Sequence, residues 1–110
     1  MPAVAAGLDE LTLVIPKDSP VRLDAMLGWH NYGTDAVMQA NAHGLQAAIL
    51  DAPVLHNSRG ANILYKDFLD SMQILANKWR DRWPLENMVM RIDADGRFLL
   101  KWKVSFDNRG

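Results

Sequence analysis

Alternation of apolar residues marks the C-terminal part of the chain as a β-hairpin. Between residues 87 and 106, large apolar side chains recur at every second position on both sides of Asp95-Gly96. This period of two around an Asp-Gly pair is typical of antiparallel strands joined by a tight turn. The pattern therefore predicts a sheet with one buried face. No catalytic motif of comparable strength occurs elsewhere in the chain.

The length of the hairpin loop decides which residues face each other. A two-residue loop would pair the apolar face of one strand with the polar face of the other. A three-residue loop, residues 94–96, brings the apolar residues onto one face and suits a type I turn followed by a glycine with positive φ. The predicted pairs are Ile92 with Phe98, Met90 with Leu100, and Met88 with Trp102. In this register Leu100 faces the core and Leu99 faces outward.

Four further elements are predicted before the hairpin. Leu11, Leu13 and Ile15 alternate with their neighbours and indicate a short strand. Capping and stop signals predict helices over residues 20–27 and from 34 to about 50. Apolar residues at spacings of three and four predict a long third helix, from residue 64 to residue 83, which Pro84 ends.

The element order β-α-α-α-β-β predicts an α+β fold, in which strands and helices are segregated along the chain. We expect a three-stranded antiparallel sheet whose C-terminal hairpin packs against the long third helix. The first strand is expected to complete this sheet, since a two-stranded hairpin alone is marginally stable. A length of 110 residues suits one domain, spanning residues 1–110.

Composition and charge exclude several classes of function. The net charge of −1 gives no electrostatic reason to expect binding to nucleic acid or to an anionic membrane. The absence of cysteine excludes disulfides, thiolate metal sites and cysteine nucleophiles. We find no convincing signal peptide and no segment suited to crossing a bilayer, and we expect a cytoplasmic protein.

The candidate metal motifs have simpler interpretations. His30, His43 and His56 lack the spacing of four residues that places two ligands on one face of a helix. Residues 93–96 (Asp-Ala-Asp-Gly) resemble part of an EF-hand, but the outer ligand positions fall on Arg91 and Trp102. The sequence therefore predicts a turn at residues 93–96 and no metal or other cofactor.

Tryptophans and basic residues are interleaved in residues 78–83 and 101–103. This composition is also found in platforms that bind single-stranded nucleic acid. Trp79 and Trp83 fall on the apolar stripe of the predicted third helix, so we expect both rings in the core. We expect the basic side chains to point away from the rings and to be solvated.

The glycine-bracketed segment Gly-Trp-His-Asn-Tyr-Gly, residues 28–33, is the strongest candidate for a binding loop. Trp29, His30, Asn31 and Tyr32 combine aromatic, titratable and amide groups, and such loops often carry recognition. The alternative interpretation, which the sequence leaves open, is that Trp29 or Tyr32 plugs the end of the core. Arg59 marks a second candidate contact loop, over residues 57–60.

These observations favour a small non-enzymatic binding protein that acts through a protein partner or by self-association. A homodimer would use the outer face or the edge of the hairpin, where an unpaired strand and apolar groups invite a second copy. The alternative is a small-ligand-binding module with a pocket between helix and sheet, lined by tryptophan and methionine. A small enzyme that uses His30 as a metal ligand or acid–base group is the third interpretation.

Overall fold

The computed structural model describes residues 3–5, 12–49, 63–87, 89–101 and 105–107, and it has an α+β fold with two helices. Helix α1 is Tyr32–Ala42 and helix α2 is Lys66–Lys78. Single 3-10 turns occupy Ala25–Leu27 and Arg80–Arg82. The strands are β1 Ala3–Ala5, β2 Ala47–Ile49, β3 Ile63–Tyr65, β4 Leu85–Glu86, β5 Met90–Ile92, β6 Phe98–Leu100 and β7 Ser105–Asp107. None of the described helices has the length and apolar character needed to cross a membrane.

Strands β4, β5 and β6 form a three-stranded antiparallel sheet in sequence order, and the predicted hairpin register is confirmed. Ile92 pairs with Phe98, and Met90 pairs with Leu100. The amide of Gly96 donates a 2.8 Å hydrogen bond to the carbonyl of Asp93, and Gly96 has a φ of 86°. This is the predicted tight turn with a glycine bulge. The third predicted pair, Met88 with Trp102, lies outside the described residues.

Gly96 also lets the hairpin turn approach the end of α2. A Cβ atom at this position would lie 2.8 Å from the Trp83 ring. The indole Nε1 of Trp83 in turn donates a 3.1 Å hydrogen bond to the carbonyl of Ala76, in α2. The turn therefore needs glycine both for its positive φ and for this close packing.

The predicted source of the third strand was wrong. Residues 12–16 form no strand, and the third strand of the sheet is β4, which follows the second 3-10 turn directly. The predicted long strand over residues 97–106 is also wrong, because β6 ends at Leu100 and β7 pairs in parallel with β3. Alternation shows that residues are extended, but it does not show which neighbour an extended segment pairs with.

The prediction of three helices was wrong as well. Residues 20–27 contain only one 3-10 turn, which begins where the Asp24 side chain accepts a hydrogen bond from the amide of Met26. Helix α1 ends at Ala42, because Gly44 adopts a φ of 73° and the chain continues into β2. Helix α2 begins at Lys66 rather than at Leu64, which lies in β3.

The main core lies between α2 and the first two strands of the sheet. Helix α2 contributes Met72, Leu75 and Ala76, and the sheet contributes Leu85, Met90 and Ile92. The predicted apolar stripe of the long helix is therefore confirmed over these turns, with Phe68, Trp79 and Trp83 packed at its margin.

Leu100 pairs with the buried Met90 and so lies on the predicted face of the sheet, but the expectation that it is buried was wrong, because Leu100 is 42% exposed. The buried strand residues of the core belong to β4 and β5, whereas Phe98 on the edge strand β6 is only half-buried. Leu100 is not among the described residues that pack against the core cluster. A correct register therefore did not ensure burial at the sheet edge.

Ile92→Ala should destabilise the fold by about 2–5 kcal/mol, since Ile92 is fully buried and the truncation leaves a cavity. Leu100→Ala, in the same hairpin, should cost well under half as much because its side chain is partly solvated. Urea unfolding of both variants measures the difference. Equal losses would show that β6 is buried as deeply as β5.

Candidate functional site

The turn formed by residues 22–31, which we call the anchored turn, exposes three large apolar side chains. Leu23 is 60% exposed, Met26 72% and Trp29 86%. They are spaced by three residues along the chain: Leu23 precedes the 3-10 turn Ala25–Leu27, Met26 lies within it and Trp29 follows it. Leu27, next to Met26, is buried in the core. We call Leu23, Met26 and Trp29 the apolar row.

Two side chains hold the N-terminal half of the anchored turn. The amide group of Gln39, on α1, exchanges hydrogen bonds of 2.9 and 2.6 Å with the backbone N–H and carbonyl of Arg22. Asp24 accepts 2.7 Å and 2.9 Å hydrogen bonds, from Lys78 Nζ and from the amide of Met26. The backbone on either side of Leu23 is therefore tied to both helices.

The buried carboxylate of Asp35 connects these contacts. Asp35 is 0% exposed and accepts a 2.7 Å hydrogen bond from Trp79 Nε1 and a 2.8 Å hydrogen bond from Gln39 Nε2. Lys78 Nζ lies 3.0 Å from the same carboxylate and bridges it to Asp24. A buried charge is tolerated when it is paired and hydrogen-bonded, and here each carboxylate oxygen has donors.

The pKa shifts of Asp24 and Lys78 favour the charged forms of both groups. The Lys78 hydrogen bond, followed by the amide of Met26, lowers the pKa of Asp24. Desolvation opposes the charge on Lys78, but its hydrogen bonds to the two aspartates raise its pKa overall. The contribution of Asp24 to stability is thus lost only as pH falls through its lowered pKa. The contribution of Lys78 is lost only as pH rises through its raised pKa.

Asn31 holds the C-terminal end of the anchored turn. It has a φ of 64°, a left-handed conformation that asparagine tolerates better than most residues, and it is buried. Its Nδ2 donates a 3.1 Å hydrogen bond to Ser71 Oγ, and this hydroxyl donates a 2.9 Å hydrogen bond to the carbonyl of His30. Asn87 Nδ2 donates a 2.7 Å hydrogen bond to Asn31 Oδ1. The turn is therefore fixed to α2 from this side too.

Asn87 extends this anchor to the sheet. Its Oδ1 accepts 2.8 Å hydrogen bonds from the amides of Val89 and Met90, where β5 begins. One side-chain amide thereby links the anchored turn to the hairpin.

The residues of the predicted binding loop differ in whether they are exposed, as recognition requires, or packed against the core. Trp29 points into solvent, whereas Tyr32 packs against the core as the first residue of α1. Asn31 is a structural anchor. Arg59, the residue chosen from the second candidate loop, lies outside the described residues.

His30 contacts a carboxylate at the edge of the turn. Its Nε2 lies 3.0 Å from Asp67 Oδ2, and its ring meets Phe68 edge-on at a centroid distance of 5.5 Å. The nearby Ser71 hydroxyl donates to a backbone carbonyl rather than to the imidazole, so these residues do not form a nucleophile–base pair. Among the residues that the structure describes, no three potential ligands are grouped to hold a metal ion.

The expectation that basic residues point away from the tryptophan rings was wrong. Lys78 Nζ lies 5.7 Å from the centroid of the Trp79 ring, and Arg80 Cζ lies 5.9 Å from that of Trp83. These distances suit cation–π contacts. The 3-10 turn that follows α2 tightens the chain and brings neighbouring side chains together. Both rings are partly buried against the core.

Two cavities open on other parts of the surface. The larger, which we call the aliphatic groove, has a volume of about 560 Å³ and lies between α1 and residues 13–21. The smaller, about 340 Å³, lies between Met38 of α1 and residues 82–91. Between α2 and the sheet, Met72 and Met90 are packed in the core.

Comparison of the chain with models of known protein families, with curated proteins and with solved structures finds no match.

Asp35→Ala should destabilise the fold by about 3–5 kcal/mol, because it leaves Lys78 and the Trp79 indole without their buried acceptor. Asp70→Ala is the matched control, since Asp70 also pairs with a lysine, Lys66, but at the surface. It should cost less than about 1 kcal/mol. Urea unfolding of both variants gives the comparison, and similar small losses would contradict a central role for Asp35.

Proposed function

We propose that this chain is a small non-enzymatic binding protein that acts by contact with another protein. The observation that carries the proposal is the apolar row, above all Trp29, which exposes 86% of its surface on a firmly held turn. Tryptophan, with its large apolar area, is among the residues that most often dominate binding energy at protein interfaces. Methionine adapts its shape to a partner surface, and Met26, three residues before Trp29 in the chain, is 72% exposed.

The anchors favour binding because they reduce its entropic cost. A flexible loop loses conformational freedom when it docks, whereas a turn already held in place loses less. Here the backbone is tied at Arg22, Asp24 and Asn31, and the three residues of the row extend between these points. The row would dock as a rigid knob into an apolar cleft on the partner.

The proposed function also includes self-association, in which the binding partner is a second copy of the chain. Leu99 is 38% exposed and Leu100 is 42% exposed on the edge strand β6. The hairpin is therefore the surface on which we propose self-association. Lys101 forms a 2.7 Å ion pair with Glu86 beside it, which leaves its charge partly neutralised.

Site-specific crosslinking in the host cell tests which surface is used. A photoreactive p-benzoylphenylalanine is placed at position 29, at position 99, or at position 73 as a control, because Gln73 is exposed on α2 away from both surfaces. We expect a discrete product with another protein from position 29. A product of twice the chain mass from position 99 would show self-association through the hairpin. The same products from position 73, or none from either test position, would contradict the proposed function.

Trp29→Ala should then weaken binding of the crosslinked partner by about thirtyfold or more, the effect of losing an interface hot spot. The same variant should leave the unfolding free energy within about 0.5 kcal/mol of the wild type, because an exposed side chain contributes little to folding. Gln73→Ala provides the control for binding. Calorimetric titration measures the affinity, and an unchanged affinity for Trp29→Ala would exclude the apolar row as the interface.

A further inference from the structure

We propose that the aliphatic groove binds an unbranched alkyl chain whose polar end is neutral or cationic. The groove lies on the α1 side of residues 13–21 and contains none of the residues of the apolar row. This second site is therefore independent of the protein-binding function proposed above.

The groove has the size and lining of a small-molecule site. Its volume of about 560 Å³ falls within the roughly 300–1,000 Å³ that such sites occupy. Its described apolar lining is aliphatic, with the larger side chains contributed by Leu13, Val14, Ile15, Val21, Val37 and Leu45. Among the described residues of this lining there is no aromatic ring on which a planar ligand could stack. A flexible alkyl chain is the shape that such a surface complements best.

The walls of the groove are held in place by the fold. Ala36 and Ala40, on one face of α1, line the floor of the groove and pack with Val21 from the other wall. The opposite wall is fixed by a turn in which the Ser19 amide bonds to the carbonyl of Pro16 and the Ser19 hydroxyl accepts from the amide of Val21. Largely preformed walls of this kind are typical of ligand sites.

The charge of the lining selects the polar end of the ligand. Asp18 is the one charged residue among the described residues that line the groove, and no ion pair joins it to another described residue. Its carboxylate repels an anionic end group and attracts an ammonium group. Ser19 and Gln46 add polar atoms for a hydroxyl or an amine.

Titration calorimetry with dodecylamine, dodecanol and dodecanoate, each below its micelle concentration, tests the proposal on the full chain. We expect saturable binding of the amine and the alcohol, and binding of dodecanoate at least about tenfold weaker. Asp18→Asn should narrow the difference in affinity between dodecylamine and dodecanoate. Trp29→Ala should leave all three affinities unchanged, which separates this site from the apolar row.

Filling the groove should abolish alkyl binding. Ala40→Phe places a ring on the floor, and Ala42→Phe is its control on the exposed end of the same helix. Val14→Asp is a second variant that preserves folding, since Val14 is 81% exposed, and it should weaken binding of dodecanol by placing a charge on the apolar wall. The proposal is overturned if no alkyl compound binds saturably, or if binding survives both groove variants. Tightest binding of dodecanoate, or binding only of an extended apolar peptide, would likewise exclude the proposed ligand.

Discussion

The buried carboxylate of Asp35 is the constraint on which the arrangement of this protein depends. A charge without solvent contact costs several kcal/mol unless donors surround it, and its donors come from three side chains. Trp79 and Lys78 lie at the end of α2, and Gln39 lies one turn further along α1. If α1 moved relative to α2, the carboxylate would lose partners that water cannot replace. Lys78 and Gln39 also hold the anchored turn, so the same constraint positions the candidate binding surface.

Some residues of the anchored turn hold it in place, and others are exposed to solvent. Asp24, Leu27 and Asn31 are tied to the helices or buried in the core. Leu23, Met26 and Trp29 are exposed to solvent. Burying large apolar side chains would normally stabilise a small domain, so three of them exposed together are costly without another use. Their exposure on a held turn is the physical basis for proposing a binding protein.

Local patterns in the sequence predicted local structure well. The alternation around Gly96 was sufficient to derive the hairpin register, and spacings of three and four identified the core stripe of α2. The same reasoning failed where one continuous apolar pattern covers two different elements. Residues 34–50 gave one helical pattern, yet Gly44 divides them into a helix and a strand. Which strand completes the sheet depends on pairing between separate segments of the chain. Alternation within one segment does not indicate which other segment it pairs with.

The candidate site was only partly predictable for the same reason. The composition of residues 28–33 identified the segment, and Trp29 is its exposed recognition candidate. The roles of Asn31 and Asp35 were not predictable, since their partners Asn87 and Trp79 are 56 and 44 residues away in the chain. An aspartate near the start of a helix usually indicates only a favourable interaction with the helix dipole. The pairing with the Trp79 indole appears only in the folded chain.

Backbone ¹⁵N relaxation of the anchored turn tests most directly whether Trp29 is presented on a rigid support. We predict order parameters of about 0.85 for residues 24–31, equal to those of α1, together with rapid solvent exchange of the Trp29 indole N–H. Order parameters below about 0.6 in this segment would show a flexible loop. Such values, or a protected Trp29 indole, would contradict the proposal that buried polar anchors hold an exposed apolar surface ready for a partner.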